Sequence, residues 1–353
     1  MKAYVLHDIN DLHLEEKEMP YVPDGWVLVK VKAAGICGSD IPRIYKTGAH
    51  RHPIIPGHEF SGMVVADRAA GTDATDWENK RVGIFPLIPC GECDCCKQKK
   101  YEMCSHYNYL GSRCDGGFAE YVAVPKWNLI ELPDQVSYEV AAMLEPMAVA
   151  VHAMRNTEPG KEESVAVCGL GTIGLLLVMF LQQSGIKHIL AIGNKDFQRQ
   201  CIGQIGEHIE FIDMRSDSVH DSIMNFTNGR GVDVFFECVG KNETLLQAID
   251  VTAPGGKIQL IGNPYTDMHL VKSLYWNILR HQLTLLGTWN SSFTRAESDD
   301  WHFVLDCLKS GSIHPELLIT HRLPMDQLEV GLTLMRDKTE DFVKVLCLPE
   351  QTE

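Results

Sequence analysis

The sequence predicts an α/β protein: a doubly wound parallel sheet of six strands beside a second, mostly-β domain. Two observations predict it. From about residue 161 to 289, short apolar runs alternate with helical stretches, as expected of strands buried on both faces and joined by crossover helices. Before that, Gly and Pro punctuate residues 35–117 so densely that short strands and long loops are expected, with the motifs on the loops.

Taken in order, residues 1–35 alternate in a strand-like way, and Trp26–Ala33 reads as a strand behind a turn at Pro23, Asp24 and Gly25. Leu132, Pro133 and Asp134 read as a turn before one helix from about Ser137 to Asn156. Six strands follow, at Glu163–Cys168, His188–Ile192, His208–Ile212, Val232–Glu237, Lys257–Ile261 and Leu283–Gly287. A glycine-led helix reaching Ser184 separates the first two. From about Asp299 the pattern is mixed again and reads as chain returning to the first domain. The expected organisation is residues 1–147 with 290–353 as one domain and 148–289 as the other.

A chain of 353 residues with 45% hydrophobic residues can bury a real core, which excludes disorder as its main state. Its formal net charge of -15 argues against nucleic acid or an anionic membrane as a partner held by bulk charge. No apolar run is long enough to span a bilayer, and residues 1–9 lack the layout of a signal peptide. The chain therefore reads as cytoplasmic. There its 12 cysteines are expected as thiols and metal ligands, not disulfides.

Cys90, Cys93, Cys96 and Cys104 supply four thiolates, enough for a closed tetrahedral zinc site. A closed site leaves no open position, so this ion would be structural. Cys95 falls outside the even 90, 93, 96 spacing and is left out. A second constellation is dispersed: Cys37, His58, Glu59 and Glu145. One thiolate, one neutral imidazole and one carboxylate would balance the two charges of Zn²⁺ and leave a position open, as a catalytic site needs. Glu59 is a possible fourth ligand.

The third constellation is Gly169, Leu170, Gly171, Thr172, Ile173 and Gly174. It follows a strand and opens an apolar helix, the layout that holds a pyrophosphate at a helix N-terminus. The acidic residue expected at the end of the second strand, where it would bind the ribose hydroxyls, is replaced by Gly193. Asn194 and Lys195 follow, with Arg199 further on, and all three can donate to a 2′-phosphate. The expected cofactor is NAD(P), leaning to NADP, although a small register shift would bring Asp196 to the ribose.

Those constellations, with Asp115–Tyr121 and the closing segment Phe342–Leu346, resemble the zinc-dependent medium-chain dehydrogenases, the family of alcohol and sorbitol dehydrogenases. The resemblance covers essentially the whole chain. It implies a Rossmann domain and a GroES-like catalytic domain. It also implies catalytic Zn²⁺ on Cys37, His58 and Glu145 with Glu59 beside it, structural Zn²⁺ on Cys90, Cys93, Cys96 and Cys104, and a homodimer or homotetramer. Glu145 stands where alcohol dehydrogenases have a second Cys and the sorbitol branch has Glu, which implies a polyol substrate. Within this branch, Cys37–His50, Gly57–Gly62 and Gly111–Phe118 are similar to the bacterial galactitol-1-phosphate 5-dehydrogenases. That likeness implies oxidation of a polyol phosphate to a ketose phosphate. Two positions depart from the pattern. Pro42 stands where many relatives have a proton-relay His, and Gly193 where they have an acid.

Ser39 is expected to take the substrate's hydroxyl proton and pass it to a cofactor ribose. Arg43, Lys46, His50, Arg51 and His52 make a basic stretch after the Cys37 loop, expected to attract a substrate phosphate, with Arg113 as a further candidate. The competing readings are free sorbitol or threonine as substrate, a zinc-free quinone or enone reductase, and a non-enzymatic zinc ribbon. The acidic net charge opposes the last.

Overall fold

Six parallel strands form the centre of the second half of the chain. In sequence they are Ser164–Cys168, His188–Gly193, Ile209–Asp213, Val232–Glu237, Thr252–Leu260 and Thr284–Gly287. In space they run third, second, first, fourth, fifth, sixth. The order reverses between the first and fourth strands, and ligands of such sheets bind outside the carboxyl ends at that switch point. The first strand is buried throughout, which is why it reads as an unbroken apolar run. The helix Thr172–Gln183 follows it with residues 174–181 all buried. Leu175, Leu176, Leu177, Val178, Phe180 and Leu181 are fully buried, and each such side chain contributes about 1.5–3 kcal/mol. This is the predicted doubly wound sheet.

This computed structural model describes residues 1–67 and 76–349. The chain divides into two units. One is Met1–Glu145 with Ser292–Gly311 and Leu318–Glu353. The other, which holds the parallel sheet, is Pro146–Ser291 with Ser312–Leu317.

The first unit is built on a seven-stranded mixed sheet. Its order is Ile319–Pro324, Lys344–Leu348, Trp26–Ile36, Glu59–Asp67, Arg81–Ile84 and Leu129–Glu131, with Tyr121–Pro125 also pairing with Trp26–Ile36. Along Trp26–Val31 inward and outward residues alternate, as a half-buried strand requires. Near the far end of that strand three strands meet. Gly35 is paired with Glu59 on one side, and Ile36 with Val345 on the other. Residues distant in sequence therefore converge just where the strand gives way to Cys37. An aromatic cluster extends the core toward the cysteine-rich lobe. Tyr101 packs on Trp127 at 5.1 Å, Trp127 on Phe85 at 5.9 Å and Phe85 on Trp301 at 5.5 Å.

Two expectations about the first part of the chain need correction. Glu59–Asp67 is a nine-residue strand inside the stretch expected to hold short strands and loops. The single helix expected from Ser137 to Asn156 is two helices, Tyr138–Ala141 and Leu144–Thr157. A continuous helix would place Pro146 in its interior, where it removes a backbone donor and clashes with the preceding turn. Restarting the helix at Leu144 puts Pro146 in a first turn, where no donor is needed. Among the described residues no helix is long and apolar enough to cross a membrane.

Candidate active site

Four sulfurs close the lobe that precedes Tyr109. The Sγ atoms of Cys90, Cys93, Cys96 and Cys104 all lie within 4.8 Å of one another. Cys90 and Cys96 are 3.9 Å apart, as are Cys93 and Cys104. Zn–S bonds of about 2.3 Å in a tetrahedron need sulfurs about 3.8 Å apart, so the set fits zinc. Cys95 is not in this group. Backbone N–H groups of Cys96 and Ser105 pull the Cys93 thiol down to about 5, and burial pushes Cys96 up to about 12. Four thiolates this close need a cation to offset their repulsion.

A second group forms where the three strands meet. The ligand atoms of Cys37, His58 and Glu59 lie within 4.8 Å of one another. Cys37 follows its strand directly, and Glu59 opens the next one. Asp40 is fully buried between them. It accepts from the Cys37 N–H at 3.0 Å, faces His58 Nδ1 at 3.4 Å and pairs with Arg43. Burial alone would raise Asp40, but the charges of His58 and Arg43 outweigh it and hold the carboxyl below its ordinary value. Burial would likewise lower His58, but Asp40 and then Cys37 push it well above its ordinary value. A carboxylate behind a histidine fixes ring orientation and leaves the other nitrogen for a metal.

Glu59 is not a free carboxylate. It forms a buried ion pair with Lys344, whose Nζ also donates to the Ile36 carbonyl at 3.2 Å. Gly35 makes room for this pair: a Cβ there would lie 2.5 Å from Glu59 Oε2 and 2.6 Å from Lys344 Cε.

Glu145 lies outside the 4.8 Å group. It is nonetheless buried and within electrostatic reach of His58, Glu59 and Lys344. Burial pushes its carboxyl up to about 7. The Tyr109 hydroxyl donates to Glu145 Oε1 at 3.1 Å, and its ring packs against His58 at 5.8 Å. The Ser39 hydroxyl donates to Cys37 Sγ at 3.3 Å.

The basic residues have separate fates. Arg51 pairs with Asp115 at 3.1 Å, and His52 accepts from the Ala49 N–H at 3.2 Å. Lys46 is exposed on the turn Arg43–Thr47. Arg43 is tied to Asp40 and stands behind the metal group, so it is not a free anion hook. Burial, then the charges of Arg113 and Arg43, hold His50 below its ordinary value, which places both cations near it. Arg113 stacks on Tyr107 at 4.5 Å, and its Nε is buried without a hydrogen-bond partner.

In the second unit the glycine loop packs tightly between strand and helix. A Cβ on Gly174 would lie 2.0 Å from the Gly169 carbonyl oxygen, so only glycine lets the helix approach its strand. The helix begins at Thr172 with no side-chain cap from Gly171.

The end of the second strand is less open than its sequence implies. Gly193 is paired with Asp213 on the neighbouring strand, so a carboxylate does stand beside it. Arg215 binds both oxygens of Asp213 at 2.9 and 2.6 Å and reaches Asp196 at 2.5 Å. These bonds hold Asp213 well below the usual carboxylate range. Arg199 stacks on Phe211 at 4.3 Å and stands 3.6 Å from Asp213. The Asn194 N–H donates to Gln198 at 2.9 Å, and Lys195 is the N-cap of the helix Asp196–Ile205.

Sequence reasoning assigned no role to Asp40, Tyr109, Lys344, Asp213 or Arg215. Two of them carried a signal. Asp40 lies three residues after Cys37, and Lys344 is a charge inside an apolar closing strand. The other three become meaningful only through pairing across space.

Residues 23–134 match the alcohol dehydrogenase GroES-like domain, and residues 172–310 match the zinc-binding dehydrogenase domain. The galactitol 1-phosphate 5-dehydrogenase of Escherichia coli K12 is 32% identical over 299 residues, covering 84% of this chain and 85% of its own. The crystal structure of galactitol-1-phosphate dehydrogenase from Escherichia coli superposes with a TM-score of 0.90 at 30% identity, covering 99% and 100% of the two chains. Two further structures each superpose with a TM-score of 0.89 over 99% of both chains. One is a zinc-binding dehydrogenase of Sinorhizobium meliloti bound to NADP, 27% identical. The other is an alcohol dehydrogenase of Escherichia coli CFT073 complexed with NADH, 28% identical. Fold and sequence together define a metal-dependent oxidoreductase. The chain belongs to the zinc-dependent medium-chain dehydrogenase family, as a zinc-dependent alcohol dehydrogenase with nicotinamide-binding neighbours.

Proposed function

We propose that this enzyme oxidises a secondary hydroxyl of a polyol phosphate to a ketone, giving a ketose phosphate, and passes the hydride to NADP. The observation that carries the reading is the group of half-buried Cys37 with buried His58 and Glu59, and buried Glu145 within electrostatic reach of it. Its donors fit zinc: one thiolate, one imidazole backed by Asp40, and carboxylates. Cys37, His58 and Glu145 would hold a catalytic Zn²⁺, and Cys90, Cys93, Cys96 and Cys104 a structural one. Bound there, the catalytic ion would act as a Lewis acid that lowers the substrate hydroxyl's pKa, while the nicotinamide accepts hydride.

The chain's own residues do the rest. Asp40 fixes the His58 ring. Lys344 balances the Glu59 charge beside the ligands. Ser39, once turned away from Cys37 Sγ, would relay the hydroxyl proton, accepting it as it gives its own to a ribose hydroxyl of the bound cofactor, a role that falls to it because Pro42 has no proton to carry. A panel of polyols and their phosphates, with free sorbitol and threonine included, tests the reading with NAD and NADP. Turnover is followed by the absorbance of the reduced cofactor. Oxidation of threonine alone would overturn it.

The cationic neighbourhood of His50, Arg113 and Arg43 supports a phosphorylated substrate in a chain of net charge -15. Arg113 is the better probe, because removing Arg43 would also strip Asp40 of its partner. A charge-assisted hydrogen bond contributes about 1.5–3 kcal/mol, so Arg113→Ala should raise KM for the phosphorylated polyol about 10- to 100-fold. KM for the unphosphorylated polyol should change little. Equal effects on both would end the phosphate reading.

NADP is favoured because Arg199 and Arg215 both stand at Asp213, and Arg215, which also reaches Asp196, already neutralises it. The Arg199→Ala variant should raise KM for NADP about tenfold, the loss of roughly one charge-assisted bond, and leave NAD nearly unchanged. A parallel rise for both cofactors would rule out a role in reading the 2′-phosphate.

A further inference from the structure

Tyr109 links two parts of the first unit that the proposed reaction treats separately. It lies on a two-residue strand, Asn108–Tyr109, which pairs with Leu87–Ile88. In that ladder Tyr109 is opposite Leu87, and Asn108 is opposite Ile88. Cys90 follows one arm two residues later, and Cys104 precedes the other by four. The ladder therefore closes the base of the four-cysteine lobe. Beyond it, the turn Gly111–Cys114 is tied back by Arg113 and Cys114 N–H bonds to the Tyr109 carbonyl at 2.9 and 3.1 Å. The Tyr109 side chain leaves this frame to donate to Glu145 and to pack on His58.

We infer that Tyr109 is a positioning residue through which the four-cysteine lobe orients Glu145 toward the catalytic ion. Glu145 stands outside the tight group of Cys37, His58 and Glu59, so its approach to the ion depends on how its side chain is held. A phenol on a metal-anchored frame supplies a fixed donor at one carboxylate oxygen and leaves the other for the ion. Outer-shell partners of this kind are worth about 10- to 100-fold in metal affinity. The lobe thus gains a function beyond stability: it carries a hydrogen-bond donor to a ligand.

The inference rests on Glu145 being a ligand, so the experiment compares three zinc-loaded proteins: the parent, Tyr109→Phe and Glu145→Ala. Each is dialysed against EDTA for timed intervals, and zinc is measured by atomic absorption, with thermal unfolding recorded in parallel. Phenylalanine keeps the ring on His58 and removes only the hydroxyl. Tyr109→Phe is expected to lose one ion per chain at least tenfold faster than the parent, to keep the second ion, and to melt within about 2 °C of it. If Tyr109→Phe keeps both ions like the parent while Glu145→Ala loses one, the positioning role is wrong and the ligand reading survives. If Glu145→Ala keeps both ions, the ligand reading itself fails. Loss of both ions from Tyr109→Phe, or a large fall in melting temperature, would mark a structural role and overturn the inference.

Discussion

Replacing Cys37 with serine is expected to cut kcat/KM about a thousandfold or more and to leave a single zinc per chain. Serine's hydroxyl is neutral near pH 7, whereas the thiolate supplies one of the two negative charges that balance Zn²⁺. The proposed ion contributes several kcal/mol of transition-state stabilisation, and about 1.4 kcal/mol corresponds to each factor of ten. The four-cysteine group shares no residue with the Cys37 group, so its zinc should remain. Metal analysis beside a turnover assay checks both halves of the statement. A Cys37→Ser enzyme with two ions and parental activity would remove Cys37 from the chemistry.

The second large effect is on stability. Lys344→Met removes the partner of Glu59 and leaves a buried carboxylate without its counter-charge. Breaking a buried ion pair from one side costs about 3–5 kcal/mol, whereas replacing both charges is often close to neutral. The single variant should therefore melt several degrees lower in the metal-free form, and the double variant Glu59→Gln, Lys344→Met should recover much of the loss. Chemical denaturation of the three proteins measures it. A loss below about 1 kcal/mol in the single variant would show that the pair carries no such weight.

Much of the fold was legible because its signals are local. A buried parallel strand is an apolar run, and a glycine turn followed by an all-apolar helix marks the nucleotide end of the first strand. The cysteine lobe was legible from spacing alone. What the sequence hid were effects of register and of pairing over long distances. The loss of an acid at Gly193 looked like the removal of a charge, but strand pairing returns Asp213 to its side and Arg215 cancels it again. Arg43 looked like an exposed hook in a basic stretch, yet it is tied to buried Asp40. Pro146 is compatible with a helix only in its first turn, and that constraint, not the apolar pattern, sets the break before Leu144.

The pairing of Lys344 with Glu59 also sets an order of events during synthesis. The two residues are 285 positions apart, and Lys344 arrives on the strand that lines up with Ile36. While the ribosome is still adding the parallel-sheet unit, the segments bearing Cys37, His58 and Glu59 have been made, but the cation that will pair with Glu59 has not. The nascent chain thus holds Glu59 without its counter-charge until this strand emerges, and the centre is finished only once Lys344 has docked.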